Sequence, residues 1–119
     1  MKFTKEHEWA KLEGGIVTVG ITDYAAHQLG DVVFVELPAV GSKVTMGATF
    51  GTIESVKTVS DMYAPVGGEV VGVNEDLESN PALVNESPLD AGWIVKIKVA
   101  DAKEFDQLLS EDDYKKICE

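Results

Sequence analysis

The chain has 119 residues, of which 45% are hydrophobic, and its formal net charge at pH 7 is −11. This length and apolar content predict one folded domain over residues 1–119 and argue against a disordered chain. The chain contains no arginine. Because nucleic acids and anionic membranes are bound through Lys and Arg side chains, we expect neither as a partner.

Targeting signals and disulfides are not expected either. No stretch approaches the roughly 18 consecutive apolar residues that a membrane-spanning helix needs. Residues 1–11, MKFTKEHEWAK, match neither a secretory signal nor an Arg-rich transit peptide, so we expect a cytoplasmic protein. The single cysteine, Cys118, cannot form an intramolecular disulfide. With no histidine close in sequence, we expect it to have no catalytic role.

The first elements are a hairpin and a short helix. Gly14 and Gly15 lie between two segments with strand character, residues 9–12 and Ile16–Ile21, which predicts a β-hairpin with a tight turn. Thr22 is a favourable N-cap and Gly30 a favourable C-terminal residue, so a short helix is expected between them.

The middle of the chain has the pattern of several short strands. Residues 31–38 are a β-branched run that ends at Pro38, and further strands are expected within residues 40–65, 67–74 and 93–100. Periodicity alone predicts one continuous strand over residues 52–62. Frequent glycines between short strands, with helices at the margins, predict a mostly β fold, a compact barrel or sandwich.

Acidic residues are concentrated in two later segments. Residues 74–90 contain two prolines and one predicted helical turn near residues 75–77. Residues 101–119 are expected to form an acidic helical C-terminal part, in which Ser110 and Asp113 have the spacing of a capping box. The preferred interpretation of these charges is that they keep the protein soluble. The second is that they steer it toward a basic patch on a partner protein.

Motifs for metal binding and unaided catalysis are missing. His7 and His27 are the only histidines and are expected to be surface residues, and the acidic segments lack the ligand spacing of a calcium loop. No nucleophile motif and no phosphate-binding glycine loop is present. We therefore expect no catalytic residue and no metal site.

Lys57 is the basic residue that stands alone between residues 44 and 95. A solvated lysine on a strand is the ordinary interpretation. A Schiff-base lysine needs burial or a neighbouring cation to lower its pKa, whereas Glu54 and Asp61 favour the charged form. Covalent attachment of a cofactor needs an exposed amine on a rigid scaffold, and suits Lys57 better.

The segment ESVKTVSDMYAPVGGEVVGVN, residues 54–74, resembles the lipoyl-attachment segment of glycine cleavage system H proteins. The resemblance extends through FTKEHEW and VGITDYAAHQLGDVVFVELPAVG upstream, and through NPALVNESP and GWIVKIK downstream. It covers nearly the whole chain. It implies a barrel-sandwich hybrid, like that of lipoyl domains, with Lys57 at the tip of a hairpin, a turn that the periodicity does not predict.

The resemblance also implies roles for single residues. It identifies Lys57 as the residue that carries lipoate through an amide bond. It implies that lipoylating enzymes recognise the three residues just before Lys57, which are Glu54, Ser55 and Val56. It also implies that two glycines, Gly41 and Gly68, let the fold bend around the hairpin. Thr58 departs from the family, which more often has Ala or Ser there.

The function implied is that of a non-catalytic carrier. An aminomethyl group would pass from the pyridoxal-phosphate-dependent glycine decarboxylase (P protein) to the tetrahydrofolate-dependent aminomethyltransferase (T protein). Dihydrolipoamide dehydrogenase (L protein) would then reoxidise the arm, and a lipoyl-transferring or lipoate-ligating enzyme would attach it. In a surface cleft, Glu8 and Asp61 match family positions that would bind the carried amine. The ordinary interpretation of Glu8 is a solvated acid on an edge strand, and that of Asp61 is a turn residue.

Three alternatives remain at this point. A lipoyl relay would donate lipoate to other 2-oxoacid dehydrogenase complexes. A biotin carrier shares the fold family but usually has methionines beside its lysine, where this chain has Val56 and Thr58. A binding module with an unmodified lysine would keep its function after Lys57→Arg.

Overall fold

The structure is a computed structural model that describes residues 1–118. The strands, numbered in chain order, are β1 (Lys2–Phe3), β2 (Glu8–Glu13), β3 (Ile16–Ile21), β4 (Val32–Glu36), β5 (Lys43–Val44), β6 (Thr49–Ser55), β7 (Val59–Tyr63), β8 (Gly68–Val73) and β9 (Val95–Val99). The helices are α1 (Asp23–Leu29), α2 (Asp76–Ser79), α3 (Leu83–Glu86), α4 (Ala102–Asp106) and α5 (Glu111–Cys118).

The strands form two antiparallel sheets. One has six strands in the order β1-β2-β3-β9-β8-β5, and the other has three in the order β4-β6-β7. Buried side chains from both sheets belong to one apolar cluster, which includes Val17, Val70 and Ile97 of the larger sheet and Ile53 and Met62 of the smaller one. The core therefore lies between the sheets, and the predicted mostly β architecture is confirmed.

The local signals of the first hairpin and helix are confirmed. Gly14 and Gly15 have φ values of 57° and 79°, as a tight hairpin turn requires, and residues 13 and 16 pair across it. Thr22 caps α1 by accepting a hydrogen bond from the backbone N–H of Ala25, at 3.2 Å. Gly30 follows α1 with a φ of 77°.

The continuous strand predicted over residues 52–62 is wrong. The chain reverses after Ser55, and β6 pairs antiparallel with β7 from Thr49↔Tyr63 to Glu54↔Val59. Both halves have strand character, so the apolar pattern gives no sign of the turn between them. The hairpin implied by the family resemblance is the arrangement found.

The C-terminal part is helical as predicted, apart from Glu119, which lies outside the described residues. Asp113 N–H donates to Ser110 Oγ at 3.2 Å, the first half of the predicted capping box. On α5, the ring of Tyr114 stacks on Phe3 of β1, with the ring centroids 4.7 Å apart. This contact attaches α5 to the edge of the larger sheet.

The two glycines predicted to allow bending lie on segments that pair with each other. Gly41 has a φ of 92° and donates its N–H to the carbonyl of Val70 at 2.7 Å. Gly68 pairs with Val44 on one side and Val99 on the other, and has a φ of 155°. A Cβ atom at Gly68 would overlap the carbonyl oxygen of Lys98. Only glycine fits this position of β8.

We predict that Gly68→Ala destabilises the protein by more than about 2 kcal/mol, because the methyl group would separate β8 from β9. Gly72→Ala on the same strand is the control, since its new methyl group would come no closer than 3.7 Å to another residue. Urea unfolding of both variants measures the difference. Equal stability of the two variants would contradict this account of Gly68.

Candidate functional site

The turn that carries Lys57 is held by the hydroxyl of Ser55. Ser55 Oγ accepts hydrogen bonds from the backbone N–H groups of Lys57 and Thr58, at 3.2 and 3.1 Å. The Ser55 N–H also donates to the carbonyl of Thr58 at 2.8 Å. Serine thus forms a side-chain turn where glycine or asparagine is more usual. Ser55 is buried, so water competes little for these bonds.

A second anchor ties this turn to a different part of the chain. The N–H of Val56 donates to the carbonyl of Asp31 at 3.0 Å, just before β4. Asn85 of α3 fixes the same connection, because its side chain bonds the carbonyl of Gly30 at 2.8 Å and the N–H of Val32 at 2.9 Å. The turn therefore rests on a rigid base.

Lys57 itself is exposed, and its stem lies over Gly30 at the end of α1. A Cβ atom at Gly30 would come within 3.2 Å of Lys57 Cε. Within residues 1–118, its Nζ takes part in no hydrogen bond or ion pair. Its side-chain nitrogen is therefore accessible to an external reactant.

A cleft of about 160 Å³ is lined by residues of β2, β3, α1, β6 and β7 and of the segment just before β2. Ala25, Leu29 and Met62 contribute apolar walls, and Glu6, Glu8 and Asp61 contribute carboxyl groups. Leu29, which lines this cleft, directly precedes Gly30, the residue that the Lys57 stem approaches, whereas Lys57 itself is not part of the lining. The two acids named from the resemblance thus share one cavity, which can hold an apolar chain with a cationic end.

Glu8 is buried, with only 2% of its surface exposed. β2 lies between β1 and β3, so the interpretation of Glu8 as a solvated edge-strand acid is wrong. Thr4 Oγ1 donates to one carboxyl oxygen of Glu8 at 2.6 Å, and Tyr63 N–H approaches the other at 3.4 Å. Burial raises the pKa of Glu8 to about 7, although the Thr4 hydrogen bond acts in the opposite direction.

Asp61 and the histidines have different surroundings. Asp61 is exposed and lies within β7, so its interpretation as a turn residue is wrong.

His27 is exposed, as predicted. His7 is not a simple surface histidine, because it is half-buried and its Nδ1 lies 2.7 Å from the hydroxyl of Tyr114. Desolvation lowers the pKa of His7.

Glu54, Ser55 and Val56 have unlike environments although they are consecutive. Glu54 and Val56 are exposed, whereas Ser55 is buried in the turn. Sequence reasoning missed the structural role of Asn85, which fixes residues 30–32. In the sequence, Asn85 is visible only as an asparagine within the segment NPALVNESP. Such a residue does not by itself indicate which backbone groups it will bond.

Residues 1–118 contain neither a cluster of metal ligands nor a membrane-spanning helix. No group of three or more His, Cys, Asp or Glu residues is placed to hold a metal ion. No helix there is long and apolar enough to cross a membrane.

Comparisons with known proteins agree on one family. The family model described as "Glycine cleavage H-protein" matches residues 1–119. A glycine cleavage system H protein of Staphylococcus haemolyticus is 56% identical over 98% of this chain and 93% of its own length. One of Carboxydothermus hydrogenoformans is 50% identical over 100% and 92%. The crystal structure of the Mycobacterium marinum H protein superimposes with a TM-score of 0.89, at 39% identity, over 97% and 93% of the two chains.

We predict a pH-dependent stability difference between the protein and its Glu8→Gln variant. The Glu8 carboxyl loses its proton near pH 4.5 when unfolded and near pH 7 when folded. Between these values the folded state binds more protons, so wild-type stability falls relative to the variant as pH rises, by up to roughly 3 kcal/mol. Well above pH 7, where Glu8 is ionised in both states, the difference stays constant. Urea unfolding from pH 4 to 9 measures it, and parallel curves would refute the role of burial.

Proposed function

Since the chain belongs to the glycine cleavage H-protein family, we propose that Lys57 carries lipoate as an amide on its side-chain nitrogen. The protein is a lipoyl carrier of glycine cleavage, and the comparisons do not favour the alternative of a lipoyl relay. The observation that supports Lys57 is its position: an exposed amine without a partner in residues 1–118, at the tip of a hairpin fixed by Ser55 and Asp31.

The residues around Lys57 fit such an arm. The turn keeps the attachment point in place, so only the side chain and the arm move. The cleft that Leu29, Glu8 and Asp61 line has apolar walls for the hydrocarbon part and carboxyl groups for a cationic end. Lipoate supplies a disulfide that takes up the aminomethyl group of glycine. The protein supplies position and shielding from water.

Glu8 can respond to the charge of the carried group. In the empty cleft its carboxyl group has a pKa of about 7 because it is buried. A primary ammonium group beside it favours the ionised form and lowers that pKa. Binding of the amine in the cleft would therefore release a proton from Glu8 and form a charge-assisted hydrogen bond. Asp61 would add a second negative charge at the exposed side of the cleft.

The proposed partners follow from this role. A pyridoxal-phosphate-dependent decarboxylase would load the arm, a tetrahydrofolate-dependent aminomethyltransferase would unload it, and dihydrolipoamide dehydrogenase would reoxidise it. A lipoylating enzyme would attach it. In this proposal residues 1–119 act as one carrier domain, without a catalytic group of their own.

We predict that Lys57→Arg prevents lipoylation with little change in melting temperature, because the side chain is exposed. Intact mass after expression in lipoylating cells tests this: the wild type should gain one lipoyl group and the variant none. Lys43→Arg, at another exposed lysine, is the control and should be modified fully. An unmodified wild type in cells that lipoylate other proteins would refute the proposal. Glycine–bicarbonate exchange with the decarboxylase then separates the carrier from a relay.

We predict that Glu8→Gln shortens the lifetime of the carried aminomethyl group in water. Loss of one charge-assisted hydrogen bond should speed its release by about tenfold. Ammonia release from the loaded protein, without the aminomethyltransferase, measures this lifetime. Glu13→Gln is the control, since Glu13 is exposed at the other end of β2 and pairs with Lys11. Equal lifetimes for both variants would remove Glu8 from the cleft mechanism.

A further inference from the structure

The hydroxyl group of Tyr114 connects the C-terminal helix α5 to two walls of the cleft. It lies 2.7 Å from Nδ1 of His7 and 2.7 Å from Oγ1 of Thr22. His7 itself lines the cleft, and Thr22 caps α1, which forms another of its walls. Tyr114 is buried, with 6% of its surface exposed, so water competes little for these hydrogen bonds. The stacking of its ring on Phe3 would not need the hydroxyl group.

His7 has a backbone conformation that residues with a side chain seldom adopt. Its φ is 70°, and within residues 1–118 no other non-glycine residue has a positive φ. Such a conformation is unfavourable and persists where neighbouring groups hold it. Two backbone bonds hold it here, because His7 N–H donates to the Thr4 carbonyl at 3.2 Å and the His7 carbonyl accepts from Thr22 N–H at 3.0 Å. The Tyr114 hydroxyl adds a third anchor, on the imidazole ring.

The conformation of His7 determines the direction of the next side chain, that of Glu8. The Glu8 carbonyl accepts a hydrogen bond from Thr4 N–H at 2.9 Å, which closes a tight loop over residues 4–8. Inside this loop, a change of the His7 φ angle would move the Glu8 carboxyl group away from the Thr4 hydroxyl that donates to it. An anchor on His7 therefore also fixes the Glu8 carboxyl group among the residues that line the cleft.

We propose that Tyr114 is a positioning residue for the cleft. Its hydroxyl group holds His7 in the left-handed conformation and Thr22 at the start of α1, and it thereby keeps the Glu8 carboxyl group in place. The C-terminal helix is then a working part of the cleft as well as a cover for the edge of the larger sheet. The effect of Tyr114 on a carried group rests on the proposed function, whereas its effect on Glu8 is measured without lipoate.

The first test follows the titration of Glu8 in the unmodified, full-length protein, by NMR of ¹³C-labelled glutamate carboxyl groups. In the wild type, burial places the pKa of Glu8 at about 7. We expect Tyr114→Phe to lower the midpoint by at least about 0.5 unit, because a loosened loop admits water to the carboxyl group. The matched control is Tyr24→Phe. The Tyr24 ring also packs on His7, with centroids 4.8 Å apart, but its hydroxyl makes no hydrogen bond in residues 1–118.

The control should titrate like the wild type, and an unchanged midpoint in Tyr114→Phe would overturn the proposal. The other titratable groups that line cavities together with Glu8 are Glu6, His7 and Asp61 in the cleft, and Lys5 and Tyr63 in the neighbouring cavity. Both Tyr→Phe variants keep all of them, so a difference between the two variants comes from the Tyr114 hydroxyl.

Substitutions at His7 keep the test decisive if Tyr114→Phe fails to fold, which its melting curve would show. His7→Asn and His7→Ala both remove the imidazole ring and leave Tyr114 intact. Asparagine adopts the left-handed conformation more readily than alanine. We therefore expect the Glu8 midpoint to stay near the wild-type value in His7→Asn and to fall in His7→Ala. Equal midpoints in the two variants would show that the backbone of His7 does not position Glu8, and would overturn the proposal.

A double-mutant cycle on the loaded protein tests whether Tyr114 acts through Glu8. Ammonia release without the aminomethyltransferase is measured for Tyr114→Phe, Glu8→Gln and the double variant. We expect Tyr114→Phe alone to speed release by about threefold, and the double variant to be no faster than Glu8→Gln, because the two residues act on one hydrogen bond. Multiplied effects would make Tyr114 independent of Glu8 and overturn the proposal. A wild type that takes up no lipoate would instead refute the proposed function and leave the titration result standing.

Discussion

The two hydrogen bonds accepted by Ser55 Oγ are the constraint on which the site depends. They close the turn between β6 and β7, and the bond from Val56 N–H to the Asp31 carbonyl fixes that turn against the end of α1. Lys57 extends from this fixed point over Gly30. A carrier must bring a mobile group to separate active sites, so under the proposed function a rigid attachment point at Lys57 would limit the motion to the side chain and the arm.

Glu8, unlike Ser55, does not stabilise the fold. Burying its carboxyl group is unfavourable as long as the cleft is empty. Its carboxyl group is buried, with one short hydrogen bond from Thr4, and burial raises its pKa to about 7. If only folding stability mattered, an apolar residue would be more favourable than Glu8 at this position. A carboxyl group with this pKa can ionise when an ammonium group enters the cleft, so the proposed function accounts for a residue that stability does not.

The predictability of each feature depended on how far apart its partners lie in the sequence. Gly14-Gly15, Thr22 and Ser110 act on their nearest neighbours, and their patterns predicted the hairpin, the helix and the cap. The turn at Lys57 needs an acceptor at residue 55 and a carbonyl from residue 31, and periodicity contains neither. The burial of Glu8 involves Tyr63, 55 residues away. Only the family resemblance, which uses the whole chain at once, predicted a hairpin there and grouped Glu8 with Asp61.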